Sequence, residues 1–142
     1  MDAFLAALQS VFGIGNLAIL FAATIAGITI GAIPGLTVTM AIALAVPLTL
    51  WMDTTSAMML LLGLYGSGIY GGSISACLIN APGTPAAAAT GLDGYALSKA
   101  GQPLKALRIA LWSSLFGGLV SIVLLILIAP QLAEIALKFG PA

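Results

Sequence analysis

The chain has no histidine, one cysteine and very little charge: four Lys or Arg against four Asp or Glu in 142 residues, 6% of the total. Soluble domains carry roughly 25% charged residues, so this composition excludes an ordinary water-solvated globular surface. The scarcity of cations excludes a nucleic-acid footprint, which needs a basic patch. Without His and with Cys77 alone, neither a zinc site nor a Cys–His nucleophile pair can be assembled inside the chain, and no intrachain disulfide forms. What is abundant is apolar: 61% of the residues are hydrophobic. The class left is an all-α integral membrane protein.

The eight charges mark the loops. They are Asp2, Asp53, Asp93, Lys99, Lys105, Arg108, Glu134 and Lys138, and between them run uncharged stretches over residues 3–52, 54–92 and 109–133. A spanning helix needs about 20 mainly apolar residues, and a charge at its centre costs roughly 2.5–3.5 kcal/mol on insertion scales. The N-terminus lacks the basic region of a signal peptide, so the first apolar segment is expected to stay as a span. The pattern predicts one transmembrane region over residues 1–142, a bundle of about four transmembrane or broken helices. The spans fall at about 16–33, 36–50, 55–79 and 104–129. The second is short and contains Pro47; about 15 residues reach only roughly 22 Å of the 30 Å hydrocarbon core, so it reads as a broken or half-helix.

Local signals refine this. Residues 3–12 are expected to form a short apolar helix that lies at the interface or leads into the membrane. Asp53-Thr54-Thr55-Ser56 is a helix start, because its side-chain oxygens accept from free N–H groups, and Trp51 suits the membrane interface. Residues 86–90 are a helix-prone tract, Gly91-Leu92-Asp93-Gly94 a turn, and residues 95–100 a turn or two of surface helix. Asp93 caps that turn or pairs with Lys99. Pro103 opens the last span and Pro130 closes it. Residues 131–139 read as a short amphipathic helix with Glu134 and Lys138 as an i,i+4 pair. Lys99, Lys105 and Arg108 place the loop at about 93–105 on the cytoplasmic side.

Small residues recur at a spacing of four: Gly27, Gly31 and Gly35; Gly63, Ser67, Gly71 and Ser75; Ser113, Gly117 and Ser121. Such stripes let helix backbones approach closely in lipid. Either they pack a bundle, or they are surfaces on which moving helices slide. Gly66-Ser67-Gly68-Ile69-Tyr70-Gly71 also fits a G-x-G-x-x-G string, but that fingerprint requires a strand and a βαβ unit, and here it lies inside an apolar helix.

Two proline–glycine breaks interrupt the apolar segments: residues 31–37, with Pro34, and residues 80–85, with Pro82 and Pro85. Irregular backbone at membrane depth is tolerated where protein or a water-filled cavity satisfies it. In secondary transporters such discontinuities present half-helix N-termini to anions and unwound carbonyls to Na⁺. The candidate lining of a substrate or ion site is therefore Gly35, Thr37, Asn80, Gly83 and Thr84. Enzyme chemistry is not expected. Asp53 and Asp93 are a full span apart and cannot act as paired carboxylates, and Ser73 and Ser75 have no base in reach. No metal or cofactor is called for, beyond Na⁺ held by backbone carbonyls.

The motifs resemble those of the large permease subunit of the tripartite tricarboxylate transporter family. The similarity rests on residues 31–37 with Pro47-Leu48-Thr49, on residues 70–76 followed by Leu78-Ile79-Asn80-Ala81-Pro82-Gly83, and on Leu92-Asp93-Gly94-Tyr95 with Lys99 and Gly101. It covers about residues 15–125. The resemblance implies a multi-pass secondary transporter of the bacterial inner membrane. It would take up di- or tricarboxylates at the expense of a Na⁺ or H⁺ gradient, together with a small membrane subunit and a periplasmic solute-binding protein. The lack of acidic residues within the spans favours backbone-bound Na⁺ over a proton relay, which uses buried Asp, Glu or His. Permeases of that family are several times longer, so the resemblance implies the N-terminal portion of one, a fragment or a truncated product. The competing reading is a non-transporting oligomeric scaffold or small channel, with continuous helices at 31–37 and 80–85.

Overall fold

A computed structural model describes residues 8–138, with side chains described as far as Leu132. All regular structure among the described residues is helical. A short helical stretch over residues 8–11 leads into five helices: α1 Ile14–Ala32, α2 Val38–Thr49, α3 Thr54–Ile79, α4 Ala87–Lys99 and α5 Pro103–Lys138. Three helices are long and apolar enough to cross a membrane, over Ile14–Ala32, Thr54–Ile79 and Pro103–Leu132; α2 is apolar but shorter. The chain divides into two compact units, Met1–Ala110 and Leu111–Ala142.

In the first unit α3 is the central element, with α1, α2 and α4 packed on it. Its core is built from small residues. Ala23, Ala45 and Leu64 form a buried cluster flanked by Leu60 and Leu61, and the largest side chain that is wholly buried is Cys77. The large apolar groups point outward: Phe21 is 70% exposed, Leu44 78% and Trp51 93%. Water would penalise that arrangement, since apolar area left in contact with it costs roughly 25 cal/mol per Å². Lipid does not, and there helices associate through small residues that bring backbones together. The inversion of large and small fits a bilayer as the solvent.

The α1–α3 contact is glycine against backbone. A Cβ added to Gly31 would fall on the Gly68 carbonyl, one on Gly27 would meet Ser67 Oγ and lie 2.7 Å from Leu64 O, and one on Gly71 would lie 2.5 Å from Ile28 O. Two stripes thus interlock. The third member of the first stripe, Gly35, lies outside the helix with open space around it, and Gly117 of the last stripe is equally open.

Asp53 caps α3 as the sequence predicts: its Oδ2 accepts from the Ser56 N–H at 3.1 Å. The buried Ser56 hydroxyl lies 2.5 Å from both Asp53 Oδ1 and Asn16 Oδ1, tying the starts of α1 and α3 together. Hydrogen bonds from the Ser56 side chain and backbone hold the Asp53 carboxyl below its ordinary range. A carboxyl whose folded pKa is depressed contributes stability that is present above the unfolded value and lost as pH falls through the folded one. The described link is therefore expected to hold at neutral pH and to weaken below about pH 4, from the ordinary Asp value downward. Thermal unfolding of wild type against Asp53→Asn at pH 7 and pH 3 measures it. The acid-dependent loss should be smaller in the variant, which keeps a capping oxygen but cannot titrate.

Three local expectations are corrected. Gly91–Gly94 is not a turn: the helical tracts expected on either side of it, at 86–90 and 95–100, join, so that α4 runs unbroken from Ala87 to Lys99, and the reversal is confined to residues 100–102, with Gly101 at φ +78°. Glycine is a poor helix former, but Gly91 and Gly94 face Ala76 and Cys77 of α3, and close approach offsets the cost. Asp93 is mid-helix and caps nothing, while Lys99 Nζ sits 4.9 Å from the Tyr95 ring centroid. Pro130 does not end the last helix, since α5 continues through it to Lys138. A proline removes one hydrogen bond there without stopping the helix, a loss that membrane helices accommodate. The Glu134–Lys138 pairing, the expected helix over residues 3–7 and Phe139 lie outside the residues described at side-chain level.

Candidate functional site

The first break is a turn with a defined reason. Ile33-Pro34-Gly35-Leu36 closes through the Leu36 N–H donating to the Ile33 carbonyl at 3.2 Å, with Gly35 at φ +96°. Proline second and a left-handed glycine third are the requirements of a type II turn. Thr37 then caps α2, its hydroxyl oxygen accepting from the Met40 N–H at 3.2 Å. Both Gly35 and Thr37 are exposed. The Thr37 oxygen already serves the helix start, so of the residues at this break neither is brought to a buried site.

The second break starts at Asn80, which holds the left-handed conformation (φ 54°, ψ 33°) at the end of α3. Its N–H donates to the Ala76 carbonyl at 3.1 Å, and the Ala81 N–H reaches the Ser75 carbonyl at 3.5 Å. Asn is the side chain that tolerates this cap best after glycine. Asn80 is exposed overall, with Oδ1 turned toward Gly91 of α4. Pro82 and Pro85 are exposed and carry no N–H.

Between the two prolines the chain turns inward. Gly83 and Thr84 are buried. The Gly83 N–H donates to the Gly72 carbonyl, about two turns before the end of α3, at 3.4 Å. A Cβ on Gly83 would fall on the Gly31 carbonyl at the end of α1, and one on Gly72 would lie 2.7 Å from Thr84 Oγ1 and 2.9 Å from the Thr84 nitrogen. The second break and the last turn of α1, about fifty residues apart in sequence, thus form one place, lined by the backbones of Gly31, Gly72 and Gly83. Thr84 Oγ1 is buried there, in a residue 7% exposed, with no hydrogen-bond partner among the described residues. A buried hydroxyl without a partner costs about 1–3 kcal/mol.

Of the five residues singled out in sequence, Gly83 and Thr84 meet in this buried place, and Gly35, Thr37 and Asn80 do not. Gly31 and Gly72 belong to it and were not singled out. The available signal was a glycine in a helix interior, which costs roughly 1 kcal/mol and marks a close approach without naming the neighbour. The open groove on the outer face of α1, between Ile14, Leu17, Phe21 and Thr24, is apolar and offers nothing to orient a polar ligand. No group of three or more His, Cys, Asp or Glu gathers among the described residues.

Large apolar side chains outside, glycine contacts inside and a buried break between helices define an all-helical, multi-pass membrane protein with discontinuous helices. Residues 17–142 match the model of the Tripartite tricarboxylate transporter TctA family, and the chain belongs to that family. It is 38% identical over 125 residues to an uncharacterised 52.8 kDa protein of Agrobacterium vitis from the ttuC' 3' region of TAR-I. That alignment covers 88% of this chain and 25% of the relative, so the chain spans about a quarter of the relative's length. No solved structure matches.

Proposed function

We propose that this chain forms the N-terminal portion of an ion-coupled permease that takes up di- or tricarboxylates across a bacterial inner membrane. Its partners in this reading are a small membrane subunit and a periplasmic solute-binding protein that delivers the substrate. Family membership supports the substrate class. The observation that carries the reading is the contact of the second proline–glycine break, at Gly83, with the last turn of α1, at Gly31, just before the first break. Discontinuous helices meeting near mid-bundle are how secondary transporters build their binding sites. An assembly scaffold has no use for breaks, and continuous helices across residues 31–37 and 80–85 would serve it better; both stretches are interrupted here.

Thr84 provides the test, because it lies buried in the contact between Gly31, Gly72 and Gly83. In a full-length permease carrying these residues, Thr84→Val, which keeps the shape and removes the hydroxyl, is expected to keep membrane abundance and lower carboxylate uptake about tenfold, the worth of one hydrogen bond of about 1.4 kcal/mol. Undiminished uptake by Thr84→Val would remove this place from the transport path.

A further inference from the structure

We propose that Lys99, Lys105 and Arg108 form a binding surface for the phosphate headgroup of an anionic phospholipid. The candidate transport site leaves these residues unused. They are three of the chain's four cations, gathered within ten residues, and all three are exposed. Asp93 is the only acidic residue between Asp53 and Glu134, so residues 94–133 carry three positive charges and no negative one.

Helix packing puts Lys99 beyond one end of the α3 core. Thr84 lies against Gly72, Gly91 faces Ala76 and Gly94 faces Cys77, so α4 runs on in the direction of α3. The central helix ends at Ile79, two residues past Cys77, whereas α4 continues for five residues past Gly94 to Lys99. At 1.5 Å per residue, Lys99 extends about 4 Å further than the end of α3. This end is opposite to Asp53, which caps the start of α3. The Lys99 ammonium sits 4.9 Å from the Tyr95 ring centroid, within cation–π reach, which holds it beside the helix end.

On α5 the polar surface passes directly into an apolar one. Ala106 and Ala110 are buried, and Lys105 and Arg108 lie on the opposite, exposed side of the helix. Three residues apart, they are neighbours on its surface. Trp112 and Phe116 follow Arg108 at a spacing of four, their ring centroids 6.1 Å apart, and beyond them Leu119 and Val123 are exposed. Cations, then aromatic rings, then aliphatic groups is the order of a phospholipid from phosphate to acyl tail, and tryptophan suits the headgroup level. Arginine grips a phosphate through two parallel N–H donors and lysine attracts it as a point charge. An open surface gives a small soluble anion no enclosure, whereas a lipid is already held at this depth by its tails.

Cations that serve membrane orientation alone would show no lipid preference after extraction, and this separates the two roles. The full chain in zwitterionic detergent micelles is titrated with dioleoylphosphatidylglycerol or with dioleoylphosphatidylcholine, and the lipid retained is counted by native mass spectrometry. Both ends of the protein are accessible in a micelle, so a change of orientation during insertion does not enter. Wild type is expected to retain the anionic lipid in preference to the zwitterionic one. Each cation near an anionic surface strengthens attachment about fivefold, so Lys105→Gln with Arg108→Gln should weaken phosphatidylglycerol binding about 25-fold and leave phosphatidylcholine binding unchanged. Lys105→Arg with Arg108→Lys conserves the charge and should keep most of the binding. Helicity checks the folding of each variant; if the double Gln variant does not fold, Lys105→Gln alone should lose about fivefold. Equal retention of the two lipids by wild type, or unchanged phosphatidylglycerol binding in a folded Gln variant, would overturn the proposal. Displacement of the lipid by citrate beyond that caused by NaCl at equal ionic strength would overturn it too, and make the patch a site for soluble carboxylates.

Discussion

Gly31→Ala is expected to destabilise this chain strongly. The new Cβ would fall on the Gly68 carbonyl, with the Gly68 carbonyl carbon 2.8 Å and Cα 2.9 Å away. These are backbone atoms of a central helix and cannot rotate aside. Overpacking a well-filled interior typically costs about 1–3 kcal/mol, and here relief requires α1 to move off α3, which also pulls the Gly31 carbonyl away from Gly83. The variant should show a strongly lowered unfolding midpoint in detergent and poor membrane abundance. Gly117→Ala is the matched control. Its Cβ would meet nothing within 4 Å, and alanine favours a helix over glycine by up to about 1 kcal/mol, so this variant should be as stable as wild type or slightly more so. Equal damage from both substitutions would mean that α1 and α3 do not pack through Gly31.

The second large effect is a coupling between α3 and α4. A Cβ on Gly94 would collide with Cys77 Sγ and lie 3.3 Å from Cys77 Cβ. Cys77 is fully buried, so the sulfur has nowhere to go. Gly94→Ala alone should destabilise by about 1–3 kcal/mol. Removing the sulfur as well, in Gly94→Ala with Cys77→Ala, makes room for the new methyl and should restore most of that loss. The interaction energy from the four proteins of the cycle is then expected to fall at about 1–2 kcal/mol, within the range for residues in contact. Additive effects of the two substitutions would remove the α3–α4 contact as described. Exchange of one buried atom for another across the interface also explains why α4 can carry two glycines and remain a helix.

These two experiments separate what spacing encodes from what it does not. The three small-residue stripes read alike in sequence, each a set of residues on one helix face. The first two pack together within one unit, and spacing does not announce that pairing, because a face can be recognised from i,i+4 spacing while its partner cannot. Gly91 and Gly94 read as a turn for the same reason. Their cost to a helix is local and visible, whereas the close contact with Ala76 and Cys77 that offsets it is not. Pro130 was expected to end a helix on steric grounds that hold in water; a helix with mostly apolar surroundings continues through it. Asp53, in contrast, is legible in sequence because a cap is a matter of four successive residues and needs no tertiary partner.

The sequence by itself determined the class of molecule and the places where its helices break. Scarce charge and long apolar runs allow only a bilayer as solvent, and Pro34-Gly35 and Asn80 with Pro82 and Pro85 impose their backbone conformations locally, through fixed φ, missing N–H groups and the left-handed cap. Tertiary structure decided that the second break packs against the end of α1, just before the first. It brought the Gly31 carbonyl to Gly83, set Thr84 against Gly72, and left Thr37 as a cap and Gly35 in an open turn. That division follows from the range of the forces involved: dihedral preferences and capping act over a few residues, but the burial of a hydroxyl and the approach of two backbones depend on how helices far apart in the chain cross each other.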